Sequence, residues 1–222
     1  KFLSEHYGAP VMLFALLLGM AINVLSKEGR CRSGIDFTAR QVLRWGVALL
    51  GLRITVAQVH ALGWRPVAIV LVAVAATIAF GIAMARPMGF QKFFGLLSAG
   101  AVGICGASAA LAIAAAFPQH PLKERATLFT VIGVSALSTL AMVLYPVVVQ
   151  WLGLDPVAAG MFLGGTIHDV AQVVGAGYGM GQQTGDAATV VKLMRVALLV
   201  PVIAVAAWMT HRHHRHLAAQ RD

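Results

Sequence analysis

Long apolar blocks separated by short polar segments dominate the chain. A helix needs about 20 apolar residues to cross the hydrocarbon core of a bilayer, and residues 66–85 supply such a stretch without a charge. The blocks lack the heptad period of a coiled coil and the Gly-X-Y period of collagen. We therefore predict an all-α polytopic transmembrane helical bundle that forms a single domain over residues 1–222. The predicted spans are residues 10–25, 37–59, 66–85, 93–117, 126–151, 157–178 and 187–209.

Composition and charge exclude an ordinary soluble domain. Hydrophobic residues make up 59% of the chain and charged residues only 11%, against roughly 45–50% and about 25% in soluble proteins. The formal net charge of +9 would suggest nucleic acid in a soluble protein, but here the basic residues gather between the apolar blocks. We expect membrane lipids and no nucleic acid as partners, and a basic cytoplasmic tail or loop at residues 211–222.

Two apolar blocks carry glycines near their middle. In residues 93–117 the glycines include Gly103 and Gly106, and in residues 157–178 Gly164 and Gly165 precede a polar set. Each block is predicted to be an interrupted helix, either discontinuous or re-entrant. Non-helical backbone at membrane depth survives only against protein or a water-filled cavity, so we expect the two breaks to share a cavity. Small residues that let helices pack closely are the alternative interpretation.

The first break is predicted to bind an anion. A half-helix that begins near Gly106 exposes free N–H groups and a partial positive charge, and the hydroxyl of Ser108 is expected to add a donor. At the second break, Thr166 is expected to cap a half-helix. Arg195 lies deep in the last block and is expected to contact the same anion. The predicted substrate-binding residues are Gly103, Gly106, Ala107, Ser108, Gly165, Thr166 and Arg195.

The polar residues of the second break are predicted to couple transport to an ion. An ionisable residue inside a membrane is costly and usually faces a cavity or a partner. His168 titrates near neutral pH and could carry a proton, while Asp169 binds a cation or orients a neighbour. The coupling set is His168, Asp169, Gln172 and Lys192. The alternatives are an interhelical hydrogen bond for the His-Asp pair and a Lys192 that extends to the headgroups.

The cysteines and the histidine-rich tail indicate no metal or cofactor. Cys31 and Cys105 lie far apart and form no paired motif. The tail HRHHRH is interpreted as a solvated basic flank. We predict no cofactor, no metal and no enzyme, because an enzyme that used His168, Asp169 and Cys105 would need a metal or a covalent intermediate that this spacing does not support.

Four segments resemble one known family. They read GICGASAALA, LGGTIHDVAQVVGAG, ATVVKLMRVALLVP and VLRWGVALLGLRITVAQVHALGW. These motifs look like the YeiH-type family of bacterial inner-membrane proteins, and the resemblance runs from about Gly8 to Pro201. It implies a multispanning secondary transporter that is suggested to export sulfate or a related small anion. Family members are usually longer, so we expect this chain to be incomplete relative to them.

The residues leave several functions open beside an anion exporter. A cation-coupled carrier of a small organic anion, such as a sulfonate or carboxylate, would use the same donors. A channel, a membrane-embedded enzyme and a structural membrane subunit belong to different classes. A structural subunit predicts breaks sealed by packing, whereas a carrier predicts an accessible cavity between them. The sequence leaves homo-oligomerisation open.

Overall fold

The computed structural model describes residues 31–42, 64–117 and 121–218, with isolated positions among residues 6–49. The spans predicted at residues 10–25 and 37–59 lie largely outside these residues. Helices and turns make up the described part, and no strand occurs within it. A short π-helical turn, Thr38–Val42, follows directly on the helix at Arg32–Phe37. The helices are α1 (Arg32–Phe37), α2 (Trp64–Ala85), α3 (Lys92–Gly103), α4 (Ala107–Ala115), α5 (Pro121–Trp151), α6 (Pro156–Thr166), α7 (Val170–Met180), α8 (Gln182–Ala197) and α9 (Leu199–Ala218).

Three helical stretches in the described part are long and apolar enough to cross a membrane. They are Pro66–Ala85, Leu122–Trp151 and Gln182–Trp208. Large apolar side chains point outward from α2 and α5, where Val72, Phe129 and Ile132 are each more than 60% exposed. Such surfaces suit lipid rather than water. The prediction of an all-helical membrane protein is confirmed.

The last predicted span consists of two consecutive helices. Helix α8 ends at Ala197 and α9 begins at Leu199. Pro201 has no N–H, and its ring crowds the carbonyl group four residues earlier, that of Ala197. Helix α9 then continues to Ala218, so residues 211–218 of the predicted tail are helical, while residues 219–222 lie outside the described part.

One apolar core cluster forms where α6 and α7 pack against α8. Leu163, Ile167 and Val173 are fully buried in this region. A Cβ atom on Gly164 would collide with the carbonyl oxygen of Ala188 on α8. Only glycine permits this approach, because a methyl group would collide with rigid backbone. The close contact brings the last turn of α6 directly against α8.

Candidate functional site

Two short connections lie side by side at the centre of the described helices. The connection at residues 104–106 joins α3 to α4, and the connection at residues 167–169 joins α6 to α7. A Cβ atom built on Gly106 would lie 3.6 Å from the Cβ atom of His168. The structure therefore brings the residues predicted at the two breaks into contact.

Lys192 of α8 links the two connections. Its side chain is fully buried, and its ammonium group donates to the carbonyl oxygen of Ile104 at 3.0 Å and to that of Ile167 at 2.8 Å. These carbonyls belong to residues 63 positions apart (167 − 104). The alternative that Lys192 extends to the headgroups is wrong, because the ammonium group points into the protein.

Arg195, one turn further along α8, links the same two chain segments. Its Nε donates to the carbonyl oxygen of Gly103 at 2.9 Å, and Nη2 donates to the carbonyl oxygens of Val102 and Gly103. Its Nη1 donates to the carbonyl oxygens of Gly164 and Gly165. A guanidinium group has five N–H donors, and these five bonds use all of them. Arg195 therefore has no free N–H donor for a ligand, because its N–H groups bond to backbone carbonyls. It can act on a ligand only through its charge and by positioning the two chain segments.

Both cations lie at the carboxyl ends of helices. Helix α3 ends at Gly103 and α6 ends at Thr166. Carbonyls in their last turns accept from Arg195, and the carbonyls of the C-cap residues Ile104 and Ile167 accept from Lys192. A cation is favourable there because a helix C-terminus carries a partial negative charge. Within the described ranges, both side chains donate only to backbone carbonyl oxygens. The region therefore contains two buried basic side chains, one of which bonds to the residue next to His168.

Among the residues that the structure describes, no side chain caps the start of α4. Gly106 is the N-cap residue with φ 70° and ψ −130°, a conformation that favours glycine, and no side chain accepts from the first turn. The hydroxyl of Ser108 was predicted to face an anion. Instead it donates backwards to the carbonyl oxygen of Cys105 at 3.1 Å, with Cys105 Sγ also within 3.0 Å. The donors that α4 offers are therefore backbone amides, beginning with Ala107.

The start of α7 carries its own carboxylate. Asp169 is the N-cap residue, and Oδ1 accepts from the N–H groups of Ala171 at 2.8 Å and Gln172 at 3.2 Å. The prediction that Thr166 caps this half-helix is wrong. Thr166 is the last residue of α6, and its hydroxyl donates to the carbonyl oxygen of Phe162, because a threonine inside a helix bonds readily to the preceding turn.

Two hydroxyl groups of α5 fix the start of α7, and sequence reasoning missed both. The Asp169 N–H donates to Ser138 Oγ at 3.0 Å, and Gln172 Nε2 donates to Thr139 Oγ1 at 3.1 Å. Ser138 is 1% exposed. Adjacent hydroxyl residues inside an apolar span were the available signal, since polar groups buried in a membrane need partners.

Two polar atoms near the connections are buried and have no hydrogen-bond partner in the part of the chain that the structure describes. They are His168 Nδ1 and Gln172 Oε1. An unpaired buried polar group costs free energy, roughly 1–3 kcal/mol, so such atoms are unusual unless a ligand or water completes them. The Cβ atom and backbone of His168 lie at the contact with Gly106, and Gln172 lies on the side that faces α5.

A cavity of about 320 Å³ opens next to Arg195. Helix α2 contributes Ile69 and Val70, and α6 contributes Phe162 with the predicted substrate residues Gly165 and Thr166. Its walls are mainly apolar. The site residues of α6 and α8 therefore border an open volume, whereas Gln172 faces the α5 hydroxyls.

Comparisons with known proteins identify a family. The family model described as conserved hypothetical protein 698 matches residues 2–221. The UPF0324 membrane protein CT0845 of Chlorobaculum tepidum is 60% identical over 96% of this chain. The UPF0324 membrane protein TauZ of Paracoccus denitrificans is 54% identical over 91% of it.

The match covers part of each relative. The chain spans 60% of the length of both of these relatives. No solved structure matches the chain. The curated relatives are named as membrane proteins, in agreement with the three span-length helices. The chain belongs to the conserved hypothetical protein 698 family, the YeiH-type membrane proteins that its motifs resemble.

Proposed function

We propose that this protein is a secondary transporter that moves a small oxyanion, with sulfate as the first candidate, across the bacterial inner membrane. The observation that carries the proposal is the uncapped start of α4 beside His168. Free helix N-terminal amides with a partial positive charge form a ready anion site. The buried charges of Lys192 and Arg195 strengthen it, because charge interactions are stronger away from water.

The helix lengths support two discontinuous membrane helices. Helix α3 has 12 residues and α4 has 9, while α6 and α7 have 11 each. Each is shorter than the about 20 residues that cross a bilayer. Transporters with discontinuous helices bind substrate at such breaks and alternate access by moving one group of helices against another. We propose this mechanism for the α3–α4 and α6–α7 pairs.

The site residues divide the work in this mechanism. The amides of Ala107 and Ser108 donate to the anion, with the unpaired ring nitrogen of His168 as a side-chain donor. Gly103, Gly165 and Thr166 lie at the C-terminal ends of α3 and α6, where Arg195 and Lys192 donate to backbone carbonyls. Lys192 bonds to both connections, and Arg195 bonds to the helix ends just before them. In this mechanism the two side chains transmit a movement of one connection to the other.

Transport by the intact protein in proteoliposomes with labelled sulfate tests the proposal. Ala107→Pro removes one amide donor, and proline is tolerated at the first helical position. We expect sulfate affinity to fall about tenfold or more, since a hydrogen bond to a charged group contributes roughly 1.5–3 kcal/mol. His168→Ala should weaken sulfate transport as well.

Gln182→Pro is the matched control. Gln182 is also the first residue of a helix that follows a glycine N-cap, Gly181, but it lies at the exposed start of α8. It should transport sulfate like the parent. Parent-like affinity for sulfate in both Ala107→Pro and His168→Ala would exclude the α4 start as the anion site.

The apolar cavity beside Arg195 favours a second candidate substrate. An organic anion, such as an alkyl sulfonate or carboxylate, could place its charged group near the connections and its apolar part among Ile69, Val70 and Phe162. Competition separates the two candidates. An alkyl sulfonate that displaces labelled sulfate with higher affinity than unlabelled sulfate would identify the organic anion as the preferred substrate.

A further inference from the structure

The first turn of α7 lacks the usual arrangement of its capping residues. An aspartate N-cap followed three residues later by a glutamine normally forms a reciprocal box, in which the glutamine side chain accepts from the N-cap N–H. Here the Asp169 N–H donates to Ser138 Oγ instead. The oxygen of Gln172 is thereby left without its usual donor.

The orientation of the Gln172 amide is fixed by Thr139. The single hydroxyl proton of Thr139 goes to the carbonyl oxygen of Ser135 at 2.9 Å. Thr139 Oγ1 must therefore accept from Gln172, and the amide nitrogen is the group that can donate. Gln172 Oε1 consequently points elsewhere, where it is buried and has no hydrogen-bond partner.

Several oxygen atoms belong to this turn and to the α5 residues that contact it. Beside Gln172 Oε1, Asp169 has a second carboxylate oxygen that takes no part in the cap, which uses Oδ1. The hydroxyl oxygens of Ser138 and Thr139 lie within hydrogen-bonding distance of the same turn. A carboxylate, an amide oxygen and hydroxyls are the ligands that hard cations prefer.

We propose that this turn, with Asp169, Gln172, Ser138 and Thr139, binds a sodium ion that couples to the anion; the coupling rests on the proposed function, whereas the ion site does not. A single carboxylate among neutral oxygens suits one positive charge. A divalent ion is disfavoured further by the nearby Lys192, on which Asp169 acts electrostatically.

The surrounding charges explain the coupling. Lys192 and Arg195 give the interior two positive charges, and Asp169 offsets one of them. A sodium ion therefore binds more weakly while no anion occupies the start of α4. Each ion then favours the other, and by linkage sulfate must raise the affinity for sodium by the same factor as sodium raises that for sulfate.

The experiment uses the intact protein in detergent, with sodium chloride replaced stepwise by choline chloride at constant ionic strength. We measure the melting temperature and the binding of labelled sulfate. Sodium should raise the melting temperature in a saturable manner, since a ligand that binds only the folded state stabilises it. Adding sulfate should shift the half-saturating sodium concentration several-fold lower.

Two variants locate the ion. Gln172→Met keeps the approximate shape of the side chain but removes Oε1. Thr139→Val removes the hydroxyl group that orients the Gln172 amide. Each should weaken the sodium response about tenfold to 100-fold, as loss of ligands or of their orienting partners does in other ion sites. Thr127→Val is the control, because Thr127 also donates to the carbonyl four residues earlier on α5 and should leave the response unchanged. Melting in choline checks that the variants fold.

The outcomes separate the two proposals. Equal melting temperatures in sodium and choline, or a parent-like sodium response in Gln172→Met, would overturn the sodium site. Sulfate binding that persists in those cases leaves the anion site intact. A sodium response that depends on Gln172 and Thr139 without any sulfate binding would support the ion site and contradict the proposed function.

Discussion

The starts of α4 and α7 lie next to each other but are completed differently. Helix α4 begins after Gly106 with no side-chain cap, whereas α7 begins with a carboxylate, Asp169, that accepts from two of its amides. Both starts carry the partial positive charge of a helix N-terminus. One is therefore available to an anion from outside the chain, and the other already has an anionic group of its own.

This difference predicts different roles for the two helix starts. The α4 start resembles an anion site, and the α7 start is stabilised by the protein and held to α5 by Ser138. Lys192 and Arg195 connect the two through carbonyls, so neither is independent of the other. This comparison can be tested by substitutions at one helix start or at the link that Lys192 and Arg195 form.

The largest effect is expected from Arg195→Lys, which keeps the charge but loses the guanidinium fork. At least two buried carbonyls lose their donor, and each unpaired carbonyl costs about 1–3 kcal/mol. The free energy of unfolding should therefore fall by about 3 kcal/mol. Sulfate binding should become too weak to detect. Thermal melting and sulfate binding measure these effects.

Arg125→Lys is the control for that substitution, since Arg125 is exposed near the start of α5 and its replacement should change neither quantity. Retained stability and sulfate affinity in Arg195→Lys would mean that charge alone matters and that the bridge between the two connections has no role.

An intermediate effect is expected from Gly106→Ala, which alters only the α4 start. The φ of 70° at this position favours glycine, and strain of this kind costs about 1–3 kcal/mol. The added methyl group would be in ordinary contact with His168, at 3.6 Å, so the cost is conformational. Melting should fall by that amount, and sulfate affinity should fall with it because the α4 amides shift.

Gly133→Ala provides the comparison, because Gly133 lies inside α5 with nothing within 4 Å of an added Cβ. This variant should gain about 0.5–1 kcal/mol, the propensity difference between the two residues. If Gly106→Ala were equally harmless, the α4 start would not be the constrained feature described above.

The smallest effect is expected from Ser108→Ala. The hydroxyl donates to the Cys105 carbonyl rather than outward, so removing it should change sulfate affinity less than about threefold, or under roughly 0.7 kcal/mol. A titration of labelled sulfate decides the matter. A loss as large as that from Ala107→Pro would show that the hydroxyl, and not the backbone, is the donor.

Local properties of the sequence predicted much of the site. Hydropathy predicted the spans at residues 66–85 and 126–151, because apolar length is a property of contiguous residues. The glycines and polar residues near both connections are also visible in the sequence, because they interrupt apolar blocks. Thr166 was assigned to the wrong helix, because residues that favour N-caps also occur in the last turn of a helix when their hydroxyl bonds backwards.

The sequence alone determined that this is a helical membrane protein and where its unusual residues lie, since hydropathy, charge and glycine content are read along the chain. Tertiary structure decided which groups those residues bond to. The bonds of Lys192 and Arg195 reach carbonyls 25 to 93 positions away, and the hydroxyls that fix α7 come from another helix. No local pattern encodes such partners, because they are selected only when the helices pack and each buried polar group must find the acceptor or donor that packing brings within reach.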